Sequence, residues 1–337
     1  MSHDVNTLFE QIYRAYPKPF SFNPEKDLDK QRKAIREKYA ELLKMPKKDF
    51  KGTAVVECEK NEDERFTEIC FSVETEPDFF VPCHMLIPKT YKKGDKLPAV
   101  ICLQGHATDT QQYILRKSFA EEDEAIIGDG YDLAVEAAEQ GYIGVYTAIR
   151  GYGELKSEYA TRIPCQQYYM RSLMVGRVAQ GERIHDIMCV VDALDDFEAV
   201  DTGRIGITGN ADGGVIAYSA AAMEDRIKVC MPSCAFTMYA DSILDKMHCC
   251  CNYVPDFAKY MEMPDLAMLI APRPLVVVSG AKAYGSFPLE SALTAFDIVK
   301  DIYNTADASD KCQHVIGPEG GRTFYGEIAW PFFKKYI

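Results

Sequence analysis

The chain has 337 residues, of which 47% are hydrophobic and 26% are charged, the balance of a globular protein that buries a large core. Acidic residues outnumber lysine and arginine by 51 to 38, a net charge of -13, which argues against nucleic acid or an anionic membrane surface as a partner. The N-terminus lacks a basic start followed by an apolar run, and no apolar stretch approaches the roughly 20 residues that span a bilayer. We therefore expect a cytoplasmic protein.

Residues 1–95 predict two helices followed by antiparallel strands. Apolar periodicity indicates the helices, and apolar runs indicate the strands; the helices are predicted at 5–16 and 27–45, and the strands near 52–58, 65–73 and 79–87. The alternation of Val81, Cys83, Met85 and Ile87 predicts a half-buried antiparallel region at a sheet edge. We interpret this part as an N-terminal extension of a single domain that spans 1–337.

From Leu97 onward, short apolar runs alternate with helical periods, as in a parallel sheet covered on both faces. The predicted strands are PAVICLQ, IGVYTA, RIGITG, IKVCMP, PLVVVSG and QHVIG, and the helices run through 131–140, 180–199, 213–223, 289–303 and 324–336. The fold class is therefore α/β, with a doubly wound and mostly parallel sheet as the core over 96–337. Residues 232–270, rich in Met, Cys and Tyr, are predicted to form a cap or a pocket wall.

The twelve cysteines lie mostly in apolar stretches, where a free thiol behaves as a small hydrophobe, and this favours a reducing compartment. The run His248-Cys249-Cys250-Cys251 resembles a metal cluster. Adjacent residues cannot easily point at one ion, however, and no second CxxC or HxxxH pair completes a site. We interpret the run as structural and predict no metal and no cofactor.

The segment Gly209-Asn210-Ala211-Asp212-Gly213-Gly214 joins a predicted strand to a predicted helix. This is the layout of a G-x-S-x-G nucleophile elbow, whose glycines are needed because the turn is too tight for side chains. The residue at its centre is Ala211, and a methyl group cannot attack a carbonyl.

Several long segments in order resemble the α/β-hydrolase superfamily, in particular its acetyl xylan esterase-like and dienelactone hydrolase-like group. The segments are PAVICLQGHATD, GYIGVYTAIRGYGE, GERIHDIMCVVDAL, MPDLAMLIAPRPLVVVSG and GPEGGRTFYGEIAWPFFKKY. The resemblance covers most of the chain. It implies an α/β-hydrolase fold with a serine, an acid and a histidine at three known places.

At those places this chain carries other residues. The turn that bears the acid reads Gly280-Ala281-Lys282-Ala283-Tyr284, and the turn that bears the histidine reads GGRTFY, with Arg322 at the histidine position. Arginine stays charged and cannot act as a base. A lone alanine at the elbow is explained most simply by engineering, but three substitutions fit natural divergence better, since one already silences a triad.

An oxyanion hole needs only backbone N–H groups as hydrogen-bond donors. Asp212 and the stretch Gly105-His106 can still supply them. Arg322 either points into the same cavity, where it favours a carboxylate, or turns outward or pairs with Asp212 or Glu319. The predicted ligand-binding residues are therefore Gly105, His106, Asp212, Arg322 and Tyr284.

No intact catalytic set is predicted, although His106 and Asp212 are possible alternatives. We interpret His314 as a structural histidine in a strand, and Glu154 as the partner of Arg150 in a turn.

Three functions stay open: a non-hydrolytic homologue that binds a small carboxylate-like or carbonyl ligand; an enzyme of another class, such as a lyase, an isomerase or a cofactor-free catalyst; and a carbohydrate or carboxylic ester hydrolase whose nucleophile was replaced by engineering. A small-molecule ligand is the expected partner, and the N-terminal helical arm predicts a homo-oligomer.

Overall fold

A computed structural model describes residues 4–47, 51–60, 64–105, 132–157, 164–246, 248–283, 285–320 and 323–337. The strands in these ranges are β1 (Ala54–Lys60), β2 (Phe66–Glu76), β3 (Phe79–Pro88), β4 (Leu97–Leu103), β5 (Ile143–Thr147), β6 (Val200–Asn210), β7 (Ile227–Ser233), β8 (Leu275–Lys282) and β9 (Cys312–Gly320). The α-helices are α1 (Val5–Ala15), α2 (Leu28–Leu43), α3 (Leu133–Glu139), α4 (Pro164–Met174), α5 (Ala179–Ala193), α6 (Asp212–Met223), α7 (Phe257–Tyr260), α8 (Ala267–Ile270), α9 (Leu289–Thr305) and α10 (Gly326–Lys334).

The nine described strands form one sheet in the order β1-β2-β3-β5-β4-β6-β7-β8-β9. From β5 to β9 neighbouring strands are parallel, whereas β1, β2 and β3 pair antiparallel. This confirms the predicted fold class. Because the strands β4 to β9 are parallel, their carboxyl ends meet at one edge of the sheet, where ligands of α/β proteins bind.

The N-terminal strands continue the main sheet, and β3 is an inner strand of it. Val81, Cys83, Met85 and Ile87 are buried as predicted, but so are His84 and Leu86. The prediction of a half-buried edge is wrong for β3, because β3 is hydrogen-bonded on both sides, to β2 and β5, and α3 packs near it. The edge position belongs to β1, whose side chains are largely exposed.

Helix α5 is buried along nearly its whole length, and not on one face as its apolar pattern suggested. Met188 is the one residue of the helix that is not buried. Its charged side chains are neutralised inside the protein: Asp186 and Glu182 lie 2.6 and 3.5 Å from Arg150. Helix α5 thus forms part of the core beside the helix that follows β6.

Helix α4 was not predicted. It lies in the chain just before α5 and contacts both α5 and the segment around Cys250–Asn252. After β7, the described part of residues 232–270 includes short helices between Cys250 and Ile270, and several of its apolar side chains belong to the central core. The predicted role of this segment as a cap or pocket wall stays a prediction.

Candidate active site

The turn between β6 and α6 has the backbone geometry of a strained elbow. Its central residue, Ala211, has φ 52° and ψ -116° and is 5% exposed. A positive φ is unfavourable for a residue with a Cβ and costs about 1–3 kcal/mol where the surroundings enforce it. The Ala211 N–H donates to the Ser233 carbonyl at the end of β7, at 2.9 Å. The turn is therefore fixed by the neighbouring strand.

Glycines allow the elbow to approach its neighbours closely. A Cβ on Gly209 would lie 2.3 Å from the Gly213 carbonyl oxygen, and a Cβ on Gly213 would lie 2.3 Å from the Leu103 carbonyl oxygen. On the other side, a Cβ on Gly105 would lie 3.2 Å from the methyl carbon of Ala211. Gly105, a predicted binding residue, therefore lies directly against the elbow.

The Asp212 side chain is held in a buried network. Its Oδ2 accepts a hydrogen bond from the Tyr152 hydroxyl at 2.7 Å and an ion-paired one from Arg183 at 3.0 Å. Arg183 and Asp212 are each 1% exposed at the side chain. These contacts explain the fixed position of the carboxylate. If Asp212 contributes to a ligand site, its backbone N–H at the start of α6 is the suitable group.

Sequence reasoning did not select Arg183 and Tyr152. A signal was present, because arginine rarely lies on a helix that is buried all round unless it is paired. The run GERIHD of α5 carries three charged residues, and the structure shows why. Arg183 also donates to the Arg150 carbonyl, so it joins the turn after β5 to the elbow.

The two other predicted positions follow the expected strands. Ala283 comes directly after β8, is 8% exposed, and its N–H donates to the Gly280 carbonyl. Strand β9 ends at Gly320, two residues before Arg322. Three predicted site residues lie outside the described ranges: His106, Tyr284 and Arg322.

The remaining candidates have structural contacts. The prediction that Glu154 pairs with Arg150 is wrong. Glu154 accepts a hydrogen bond from the Tyr146 hydroxyl at 2.8 Å, because Arg150 pairs with Asp186 and Glu76. His314 lies in β9, with Nε2 2.9 Å from the Ser279 hydroxyl. Burial lowers the pKa of His314 to about 4, so the ring is neutral at pH 7.

The structure corrects two expectations about cysteine. Cys58 and Cys70 form a disulfide between β1 and β2, while the other ten cysteines are free thiols. The thiols of Cys249 and Cys251 lie 2.9 Å apart, although we expected neighbours in this run to point apart. The 3-10 turn Cys250–Asn252 brings them together, because it closes the chain within three residues.

A cavity of about 810 Å³ lies between α1, the segment 240–246 and the start of α9. Polar groups line much of it, including Asp241, Ser291 and Tyr13. None of the described residues around it is a predicted site residue.

No helix in the described ranges is both long enough and apolar enough to cross a bilayer.

Comparison with known proteins identifies the family. The sequence profile of the family described as "Abhydrolase family" matches residues 4–173, and the profile "Acetyl xylan esterase (AXE1)" matches residues 129–253, which include the elbow. The chain is 29% identical to "Putative hydrolase YtaP" of Bacillus subtilis over 253 residues, 71% of this chain and 77% of that protein.

Solved structures show the same fold. A protein described as a "putative acetyl xylan esterase" from Bacteroides fragilis superposes with a TM-score of 0.80 at 15% identity, covering 99% of this chain and 95% of that one. Acetyl Xylan Esterase 1 from Thermoanaerobacterium superposes with a TM-score of 0.60 at 16% identity, covering 96% and 98%. A glucuronoyl esterase from Solibacter usitatus gives a TM-score of 0.66 at 12% identity, covering 95% and 98%.

The two profile matches, the order of strands in the sheet and the elbow after β6 agree with one another. This chain therefore belongs to the Abhydrolase family of α/β-hydrolases and is acetyl xylan esterase-like.

Proposed function

We propose that this protein binds a small carbonyl or carboxylate compound at the β6–α6 elbow and does not hydrolyse it through a serine nucleophile. The observation that carries the proposal is Ala211, which occupies the centre of the elbow with φ 52° and ψ -116°. The position at which a nucleophile would stand holds a methyl group, which has no lone pair to attack a carbonyl.

The second support is the neighbourhood of the elbow. Helix α6 begins at Asp212, directly after the turn, and the first N–H groups of a helix favour a carbonyl oxygen or an anion. Gly105 lies against Ala211, so the loop after β4 can offer a backbone donor to the same ligand atom. Such donors bind without reacting, because binding an oxyanion needs no nucleophile.

The third support is the residue at the end of β8. Ala283 follows β8 directly, at the position that we assign to the carboxylate that would orient a histidine base. Arg322 would supply a fixed positive charge to a carboxylate ligand, and this role of Arg322 is part of the proposal.

A labelling and turnover experiment tests the absence of a serine nucleophile. We expect the purified protein to release no p-nitrophenol from p-nitrophenyl acetate above background and to resist a fluorophosphonate probe. We expect acetate or benzoate at millimolar concentration to raise the melting temperature, since a ligand of the native state stabilises it. Labelling by the probe would show that Ala211 is not at the nucleophile position.

Restoring the three residues tests the alignment of the positions. Ala211→Ser, Ala283→Asp and Arg322→His are combined in one variant and also made singly as matched controls. We expect esterase activity in the triple variant and none in the single variants, because the three groups act as a unit. An inert triple variant that is folded would contradict the assignment of these positions.

A second candidate function is ester hydrolysis with a thiol nucleophile, which the esterase names of the similar proteins favour. Cys234 follows β7 with φ 48° and is 5% exposed. Its Sγ lies 3.5 Å from the Thr323 carbonyl oxygen, one residue beyond Arg322. Under this function, Cys234→Ala abolishes acetyl release from acetylated xylan, and iodoacetamide blocks it in the unchanged protein.

We also propose that copies of this protein associate through α1. No residue of this helix is buried, and Val5, Leu8, Phe9 and Ile12 are exposed, which is costly for apolar side chains that stay in water. Sedimentation velocity tests this. We expect a mass above that of one chain, and a monomer for Leu8→Lys/Phe9→Lys.

A cytoplasmic location is the last part of the proposal. Ten free thiols support it, because thiols persist in a reducing compartment. The disulfide between Cys58 and Cys70 argues against it. The test is the number of free thiols in protein that is alkylated rapidly as it is extracted from its source. Twelve free thiols would support a cytoplasmic location, and ten would contradict it, because the disulfide would then be present in the cell.

A further inference from the structure

We propose that Cys165, Cys249 and Cys251 form a binding site for one Zn²⁺ ion, held by three thiolates with water as the fourth ligand. The three sulfur atoms lie within 4.8 Å of one another. Cys249 is at the centre, with its Sγ 3.0 Å from Sγ of Cys165 and 2.9 Å from Sγ of Cys251.

The three thiols come from two separate elements. Cys165 is the second residue of α4, and Cys249 and Cys251 flank the start of the 3-10 turn that includes Cys250. Cys165 and Cys249 are 84 positions apart in the chain. Tertiary packing therefore brings them together, and an ion at this point would cross-link α4 to the turn.

Of the two other residues in the HCCC run, His248 faces elsewhere and Cys250 lies beside the cluster. His248 is bonded through Nε2 to the Ser242 hydroxyl at 2.9 Å and lies 2.8 Å from the Ser286 carbonyl. The Cys250 thiol lies beside the cluster: its sulfur is 3.9 Å from the Cys165 carbonyl oxygen, and it hydrogen-bonds with the thiols of Cys165 and Cys249. The pattern of ligands is thus Cys-X-Cys with one distant cysteine.

The three sulfur atoms are gathered at one point, closer together than packed thiols. Carbon atoms in contact lie about 3.5–4.0 Å apart, and sulfur is larger than carbon, so thiols packed as plain hydrophobes would lie farther apart than these. Sulfur atoms on a tetrahedral zinc ion, with Zn–S near 2.3 Å, lie about 3.8 Å apart. The ion would have to spread the present cluster by about 1 Å.

The chemistry of the three ligands suits zinc, and the cluster adjoins a buried polar network. Thiolates are soft ligands that select Zn²⁺ from oxygen-preferring cations. One Zn²⁺ ion and three thiolates carry a net charge of -1, and buried Arg183, which already pairs with Asp212 at 3.0 Å, lies in the adjoining network. The Tyr152 hydroxyl, which donates to Asp212, lies 3.0 Å from Sγ of Cys251 and so connects the cluster to the Asp212 network.

The site adjoins the elbow. Sγ of Cys251 lies 3.6 Å from both carboxylate oxygens of Asp212, the first residue of α6. We assign the ion a structural role, which is to fix the turn Cys250–Asn252 against α4 and the first turn of α6. This role is independent of the proposed ligand at Ala211.

Zinc titration of the reduced, chelator-treated protein tests the proposal, with a chromophoric chelator as competitor. We expect one Zn²⁺ per chain, and Co²⁺ in its place should give the near-ultraviolet absorption of thiolate-to-cobalt charge transfer. Cys249→Ser should weaken zinc binding more than about tenfold. Cys312→Ser is the control, because Cys312 is also a half-buried free thiol but lies at the start of β9, and this variant should bind zinc unchanged.

Thermal unfolding supplies a second readout. Zinc should raise the melting temperature of the unchanged protein and of Cys312→Ser, but not of Cys249→Ser, because an ion that binds the native state stabilises it. Cys249 is only half-buried, so its serine variant should fold even if Cys165→Ser does not. Three results would overturn the proposal. They are less than one Zn²⁺ per chain, equal zinc binding in Cys249→Ser, and a Cys249 disulfide whose reduction still gives a protein that binds no zinc.

Discussion

Asp212→Asn removes the carboxylate charge opposite Arg183 while it keeps the shape of the side chain and an oxygen for the Tyr152 hydroxyl. The ion pair is 3.0 Å long, and both side chains are 1% exposed. At an effective dielectric constant of about 20, two charges at this distance attract by about 5 kcal/mol. Removing one partner of a buried pair typically costs 3–5 kcal/mol, since the other charge stays buried.

We expect the lower end of this range, about 3 kcal/mol, for Asp212→Asn, because Arg183 keeps two hydrogen bonds to the Arg150 carbonyl. Urea unfolding measures it, with Asp297→Asn as the control. Asp297 pairs with Lys300 at 2.8 Å, but the side chains are 72% and 56% exposed, so the control should lose less than about 1 kcal/mol.

A double-mutant cycle isolates the pair. Arg183→Met combined with Asp212→Asn should cost about 2 kcal/mol less than the sum of the single variants, because the second change removes a charge that the first left unpaired. The reasoning is refuted if the cycle is additive, or if Asp212→Asn is as mild as Asp297→Asn. In that case the Asp212 carboxylate is not committed to the network and becomes a catalytic candidate again.

Two further predictions concern stability. The pKa of His314 is lowered to about 4 by burial, below the unfolded value of about 6.5, so its contribution to stability is present above pH 6.5 and is lost as the pH falls toward 4. The free energy of unfolding in urea should decline by up to about 3 kcal/mol over this window and by less in His314→Gln. Equal declines in the two proteins would exclude His314 protonation as the cause. Gly213→Ala should lower the free energy of unfolding by at least about 2 kcal/mol, because its Cβ would lie 2.3 Å from the Leu103 carbonyl oxygen. Gly203→Ala is the control: the atom nearest to its Cβ is Asp201 Oδ1 at 3.2 Å, so it should change the free energy of unfolding by less than about 1 kcal/mol. Equal losses in the two alanine variants would contradict the packing argument.

Local sequence patterns determine much of this fold. The apolar runs from Leu97 to the C-terminus predicted β4 to β9 and the helices α3, α5, α6, α9 and α10, although α5 ends at Ala193 and not at 199 as predicted. The segment Gly209 to Gly214 predicted the elbow, because only glycines fit the close approaches around the turn. Such features depend on side chains within one element and its immediate neighbours, and the sequence displays these directly.

Helix α4 and the inner position of β3 could not be predicted in the same way. α4 has a weakly apolar sequence and contacts α5 and the cysteine turn, and β3 is covered because β5 pairs with it. Whether an element is half-buried or fully buried depends on what packs on its second face. Apolar periodicity in the sequence indicates only which residues form its first, buried face.

The sequence by itself determined that a methyl group stands at the centre of the elbow and that an alanine follows β8. Only the tertiary structure decided which groups surround them: the pairing of Asp212 with Arg183, the Cys58–Cys70 disulfide, and the meeting of Cys165 with Cys249 and Cys251. Each of these contacts joins residues from different elements. Their partners are selected by the packing of the sheet and its helices, for which spacing along the chain carries no signal.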